Sequence, residues 1–236
     1  VEFQAFHAAH WAALAAAAIA VAAIIALRAK LRGPKAGRAA KLAIVLTLAG
    51  SEAALQVSYA IEGGWGIGAL PFQLCSIMLW FSVALLLTGN RRIYEITFFL
   101  GILGAMQALL TPDLIQSFPE FRYFHFFIAH IAIVAASVYM TAVERFRPTL
   151  GSAFRAAGWL NLLAVPAAIT NWLAGTNFMF LARKPAGGSL LDLLGPWPWY
   201  LLQLEFVAVA LCLALYGIVW AIDRIAGVLS HSEEVV

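Results

Sequence analysis

Charge is scarce in this chain. Asp, Glu, Lys and Arg together make up 11% of 236 residues, well under the quarter of a typical soluble domain. No long polar stretch is present, which argues against a sizeable extramembrane domain. Cysteine is almost missing too, with Cys75 and Cys212 the only two. One sits near the outer end of an apolar run and the other in the middle of a run. That difference in depth argues against a disulfide, whose Cα atoms must lie within about 7 Å. Phosphate-binding glycine loops, a G-x-S-x-G elbow and nucleotide motifs are absent. So are the H-x-x-x-H and paired-cysteine spacings of zinc sites. There is no internal repeat, low-complexity tract or coiled coil. The net charge of +3 needs no nucleic-acid partner, because the basic loops already serve topology.

Long apolar runs are what the chain has. Hydrophobic residues make up 63% of it. The runs predict spans at about 8–27, 40–60, 70–88, 93–110, 122–142, 156–174 and 199–222. Each is long enough to cross a hydrocarbon core about 30 Å thick as a helix rising ~1.5 Å per residue. The loops between them alternate in charge. Arg28, Lys30, Arg32, Lys35, Arg38, Lys41, Arg91, Arg92, Arg145, Arg147, Arg155 and Arg224 fall on one side; Arg122, Arg183 and Lys184 fall on the other. By the positive-inside rule, this twelve-to-three split predicts an outside N-terminus and a cytoplasmic C-terminus. The expectation is an all-α, seven-transmembrane-helix bundle forming one domain over residues 1–236. The first span is not read as a cleavable signal peptide: it is too long, and its positive flank follows it. The basic segment Arg28–Lys41 also suits anionic lipid headgroups.

Polar side chains are concentrated in the outer halves of these spans. The second span carries Glu52 and Gln56, four apart and so on one helix face. The third opens with Gln73, Cys75 and Ser76; the fourth ends near Gln107; the fifth holds His125 and His130; the sixth reaches Asn171; the seventh starts with Gln203 and Glu205. A carboxylate or imidazole at membrane depth is costly unless paired or wet, so it faces the bundle interior. Six helices with that property at one depth predict a polar cavity opening outward. The 24-residue outer loop 175–198, rich in Phe, Leu and Trp, is expected to pack as a lid or to lie in the interface.

Within that cavity Cys75 and His130 form the sharpest pair. An imidazole that takes the thiol proton makes a strong nucleophile. Gln73, Ser76, Gln107 or Asn171 can donate to a developing oxyanion, and Glu52 can orient an imidazole. His125 is the alternative base. It lies five residues from His130 and points about 140° away on a helix. Two other readings remain open: a metal-dependent hydrolase using Glu52, His125 and His130, and a non-enzymatic transporter or binding protein whose vestibule holds a small solute.

Five segments also carry a resemblance. Leu-Pro-Phe-Gln-Leu-Cys-Ser (70–76), Ala-Leu-Leu-Thr-Pro-Asp (108–113) and Phe-Arg-Tyr-Phe-His-Phe-Phe-Ile-Ala-His (121–130) are three of them. Asn-Phe-Met-Phe-Leu-Ala-Arg-Lys-Pro (177–185) and Ser-Leu-Leu-Asp-Leu-Leu-Gly-Pro-Trp-Pro-Trp-Tyr (189–200) are the others. Together they resemble the YwaF family of bacterial integral membrane proteins, related to animal transmembrane protein 164, over about residues 40–222. The resemblance implies a bacterial cytoplasmic-membrane protein that transfers acyl chains between phospholipids and lysophospholipids without coenzyme A or another cofactor. It places Cys75 as nucleophile and His130 as base.

Overall fold

The computed structural model describes residues 2–185 and 189–233, with side chains placed up to residue 226. The described residues are helical and contain no strand; a single bridge joins Glu2 to Gln116. The elements are α1 (Ala8–Ala26), α2 (Arg28–Leu31), α3 (Pro34–Ile61), α4 (Leu74–Thr88), α5 (Arg91–Ile96), α6 (Ile102–Leu110), α7 (Phe121–Ala142), α8 (Leu150–Ala174) and α9 (Trp199–Glu233). A π-helical turn, Thr97–Gly101, joins α5 to α6 into one rod.

Helix ends follow local chemistry. Pro34 occupies the first turn of α3, where its missing N–H costs nothing. The Asn90 side chain accepts from the backbone N–H groups of Arg92 and Ile93 to start α5. Thr149 and Ser152 form a reciprocal capping box at α8. Gly89 and Gly175 close α4 and α8 at φ of 63° and 67°, where a side chain would be strained. α8 continues through Pro166.

Six stretches are long and apolar enough to cross a membrane: Ala8–Ala26, Pro34–Ile61, Arg91–Leu110, Phe121–Ala142, Leu150–Ala174 and Trp199–Ala226. They match six of the seven expected spans. The seventh, expected at 70–88, is realised as a 15-residue helix, Leu74–Thr88. That is ~22 Å of helix, short of the ~30 Å core. Pro71 disfavours helical geometry at the preceding residue, where Leu70 is extended at φ −62°, ψ 141°, and the backbone is extended again at the cap residue Gln73, at φ −69°, ψ 141°.

α7 lies at the centre and packs against α1, α3, α4 and α6. Its buried face includes Ala129, Ala132, Ala135, Ala136 and Ser137, small residues that let helices approach closely. The contacts fix its register. Against the α5–α6 rod, Tyr94 Oη and Thr141 Oγ1 are 2.9 Å apart, and Ser137 Oγ donates to Thr97 O at 3.0 Å. Gly101 sits against Ile133 and Ser137. Against α3, Tyr139 Oη donates to Gly37 O at 3.3 Å, Lys41 pairs with Glu144 at 2.9 Å, and Arg122 lies 4.4 Å over the Tyr59 ring. Both pairings are antiparallel. α9 packs on α8, which in turn meets α5 and the π turn.

Candidate functional site

Cys75 sits in the first turn of α4, one residue past its start, rather than several residues into a span. Its Sγ faces α6 at Gly104: a Cβ built there would lie 3.8 Å from Sγ and 3.3 Å from Leu74 Cδ2. Gly104 therefore admits the first turn of α4. The antiparallel register of the rod on α7 (94 with 141, 97 with 137, 101 with 133 and 137) puts Gly104 opposite residues 130–134. Cys75 and His130 thus share one level, although no hydrogen bond joins them among the described residues.

His130 is buried on α7. Its Nδ1 lies 2.6 Å from Phe126 O, and its ring packs 4.3 Å from that of Phe126. A carbonyl only accepts, so Nδ1 carries the proton and Nε2 keeps its lone pair. No described group occupies Nε2. The backbone of α7 therefore sets the tautomer that a general base needs. The α3–α7 register places Glu52 at the same level. Glu52 is buried and accepts from Gln56 Nε2 at 2.9 Å. Between one and two turns outward, Ser58 Oγ on α3 and His125 Nε2 on α7 are buried without a partner.

The remaining predicted residues each have partners of their own or stand apart on their helices. Gln56 also donates to Ala69 O at 3.3 Å and accepts from Trp65 Nε1 at 3.0 Å, so it holds the α3–α4 loop. Gln73 Oε1 accepts from Met179 N at 2.9 Å. Gln107 Nε2 donates within its own helix to Thr111 Oγ1 at 2.5 Å. Ser76 is half-buried on α4. Asn171 holds the backbone N–H of Phe178 at 2.7 Å and its carbonyl at 2.9 Å. Gln203 accepts from Gly195 N at 2.6 Å, and Glu205 from Asn161 Nδ2 at 3.0 Å. Loop demands explain the bonds of Gln56, Gln73, Asn171 and Gln203. A chain reversal leaves backbone groups unpaired, and nearby amides satisfy them.

The outer loop is held down by the same means. Phe178 is buried edge-on to Phe72, Trp197 Nε1 donates to Leu181 O, and Tyr200 Oη donates to Phe180 O. Beside it, between α8 and α9, lies an open, mostly apolar cavity of about 480 Å³. Of the predicted site residues it takes only Asn171, along with Asn161, Trp172, Leu181, Trp197 and Leu201. Among the described residues no three His, Cys, Asp or Glu side chains gather as a metal site, so Glu52, His125 and His130 are not brought together as one ligand set. Both cysteines are free thiols.

Residues 5–216 of the chain match the TMEM164 family. The chain belongs to that family. No curated protein and no solved structure matches it. Membership in the TMEM164 family together with six membrane-length apolar helices makes this an integral membrane protein. The matched region runs from before α1 into α9 and so contains every residue at the Cys75–His130 level. Sequence reasoning missed Gly104, the residue that admits Cys75. Its only signal was the Gly-Ile-Leu-Gly spacing at 101–104. It also missed Asn161, the partner of Glu205.

Proposed function

We propose that this protein is a membrane-embedded lipid acyltransferase or lipid hydrolase working through Cys75 and His130, from the YwaF branch of its family. The single observation that carries the reading is His130. Its Nδ1 is committed to Phe126 O, so Nε2 is a basic nitrogen at the level of a thiol. The Cys75 Sγ–H gives its proton to Nε2, and the thiolate attacks the ester carbonyl of a phospholipid. The ester C–O bond breaks, a thioester forms, and the proton passes from His130 to the leaving lysolipid oxygen. An incoming hydroxyl, from water or a second lysophospholipid, then loses its proton to Nε2 and displaces the thiol. Apo geometry without a thiol–imidazole bond suits this scheme, since catalytic hydrogen bonds often tighten only with substrate in place. No cofactor enters any step.

The same proposal takes the chain as one domain with a seven-helix count. The short α4 completes its crossing with the extended residues before it, the N-terminus lies outside, and the bacterial cytoplasmic membrane is the location. The transporter reading needs an open polar vestibule, whereas Gln56, Gln73, Asn171 and Gln203 are engaged in loop bonds.

The test is intact-protein mass spectrometry after incubation with mixed phospholipids. Wild-type protein is expected to gain one acyl mass that hydroxylamine removes, and Cys75→Ala is expected to gain none. Unchanged lipid turnover by purified Cys75→Ala protein would overturn the proposal.

A further inference from the structure

The basic end of the bundle holds more positive charge than its topology and folding use. Among side chains described there, three are carboxylates and each is already paired. Glu95 binds Arg155 at 2.7 Å, Glu144 binds Lys41 at 2.9 Å, and Asp223 binds Arg147 at 2.6 Å. Two arginines also close the C-terminus of α7. Arg32 donates to Ala142 O at 3.0 Å and Val143 O at 3.2 Å; Arg147 donates to Thr141 O at 2.7 Å and Phe146 O at 3.0 Å. These bonds answer the unpaired carbonyls of a helix end.

Arg145 does neither job, and Arg28 does only a little of the second: it reaches Ile25 O alone, in the last turn of α1, at 2.9 Å. Arg145 makes no hydrogen bond or ion pair among the described residues, and its backbone is held at φ 60°, a left-handed conformation unfavourable for a side chain of this size. Both crowd Arg32. Partial desolvation, and then repulsion from Arg145, Arg28 and Arg147, holds the Arg32 guanidinium below its ordinary value. Like charges gathered without an anion are an incomplete arrangement. Their depth says what completes it. Arg28 lies two residues past the end of α1 and Arg145 three past the end of α7. Both helices are apolar and pack on each other, so their ends sit at the level of lipid headgroups.

We propose that Arg28 and Arg145, flanking Arg32, bind the phosphodiester of an anionic phospholipid from the leaflet at this end. The site is separate from the Cys75–His130 level and stands whether or not the acyl-transfer reading does.

The test uses the full-length protein in neutral detergent, titrated with phosphatidylglycerol and with phosphatidylcholine, and read by native mass spectrometry. Wild-type protein is expected to retain one phosphatidylglycerol in preference to phosphatidylcholine. Arg28→Gln/Arg145→Gly is expected to weaken that binding roughly thirtyfold, at about fivefold per headgroup-level cation. Glycine suits a positive φ, so melting without added lipid should not fall on account of residue 145. If the double variant does not fold, Arg145→Gly alone should lower affinity about fivefold. Lys35→Gln/Arg38→Gln, outside the cluster, should keep the single retained lipid. Equal loss in both double variants would overturn the site in favour of diffuse attraction. Equal retention of the two lipids by wild type would overturn it as well. Inorganic phosphate that displaces the lipid or stabilises the protein equally would reassign the site to a free anion and sink the lipid proposal.

Discussion

α7 and α9 are both apolar enough to cross a membrane, yet they live in opposite surroundings. The most apolar stretch of α7 has mean hydropathy 1.7 and is 56% buried in protein; that of α9 has mean hydropathy 2.2 and is 6% buried. The more hydrophobic helix is the more exposed one. In water this would be a contradiction. In lipid it follows, because hydrocarbon chains solvate Leu and Val as well as protein does, and association rests on close packing and polar pairing instead. α7 supplies both, with its run of buried alanines and with Ser137, Tyr139 and Thr141. Among its described residues α9 offers one such contact at depth, Glu205 to Asn161. The proposed chemistry belongs to the first region and the large apolar cavity to the second.

The sharpest way to break that contrast is to move activity from one region to the other. His130→Ala should lower acyl transfer by roughly two to four orders of magnitude, and Cys75→Ala should abolish it, with melting close to wild type in each. Asn171→Ala and Glu205→Gln, on the α8–α9 side, should retain most of the rate. Lipid turnover assays on the four purified proteins check this. The opposite ranking would place the reaction in the α8–α9 cavity. Gly104→Ala belongs to the first group. Its new methyl would press on Leu74 Cδ2 at 3.3 Å, beside Cys75, whose Sγ it would meet at an ordinary 3.8 Å. The expected outcome is a slower enzyme whose helix content by circular dichroism is unchanged.

Packing provides the next test. Ala136 is fully buried on α7, and Ala210 faces outward on α9. Ala136→Leu overfills a close helix crossing and should cost about 1–3 kcal/mol, read as a lower melting temperature in detergent. Ala210→Leu should leave melting unchanged. Equal effects would mean that α9 has a protein neighbour in its native assembly.

Much of this contrast was legible in the sequence, and what was not has physical causes. Apolar runs located six membrane-length helices because length and hydropathy are properties of one segment. They did not reveal the early interruption before α4, where Pro71 outweighs an otherwise apolar stretch. Nor did they reveal the π turn at Thr97–Gly101. Cys75 and His130 were legible as a thiol and an imidazole in the outer halves of their spans. That Gln56, Gln73, Asn171 and Gln203 satisfy loop backbone groups was not legible. A sequence shows that a polar side chain is present, but it does not show which backbone group will claim it. Glu205 and Asn161 meet across helices whose relative tilt no hydrophobic run encodes.

That last pair gives the smallest predicted effect and also the most informative about α9. Asn161 Nδ2 donates both to Ala157 O and to Glu205 Oε2, each at 3.0 Å. Asn161→Leu removes the donor and leaves a carboxylate at depth without its amide. Interhelical hydrogen bonds of this kind contribute about 0.6 kcal/mol on average, so a small drop in melting temperature is expected. The double variant Asn161→Leu/Glu205→Leu removes both polar groups and should recover it, because an apolar pair leaves nothing unsatisfied. A double variant that melts no higher than the single one would show that α9 is held to α8 by something other than this contact.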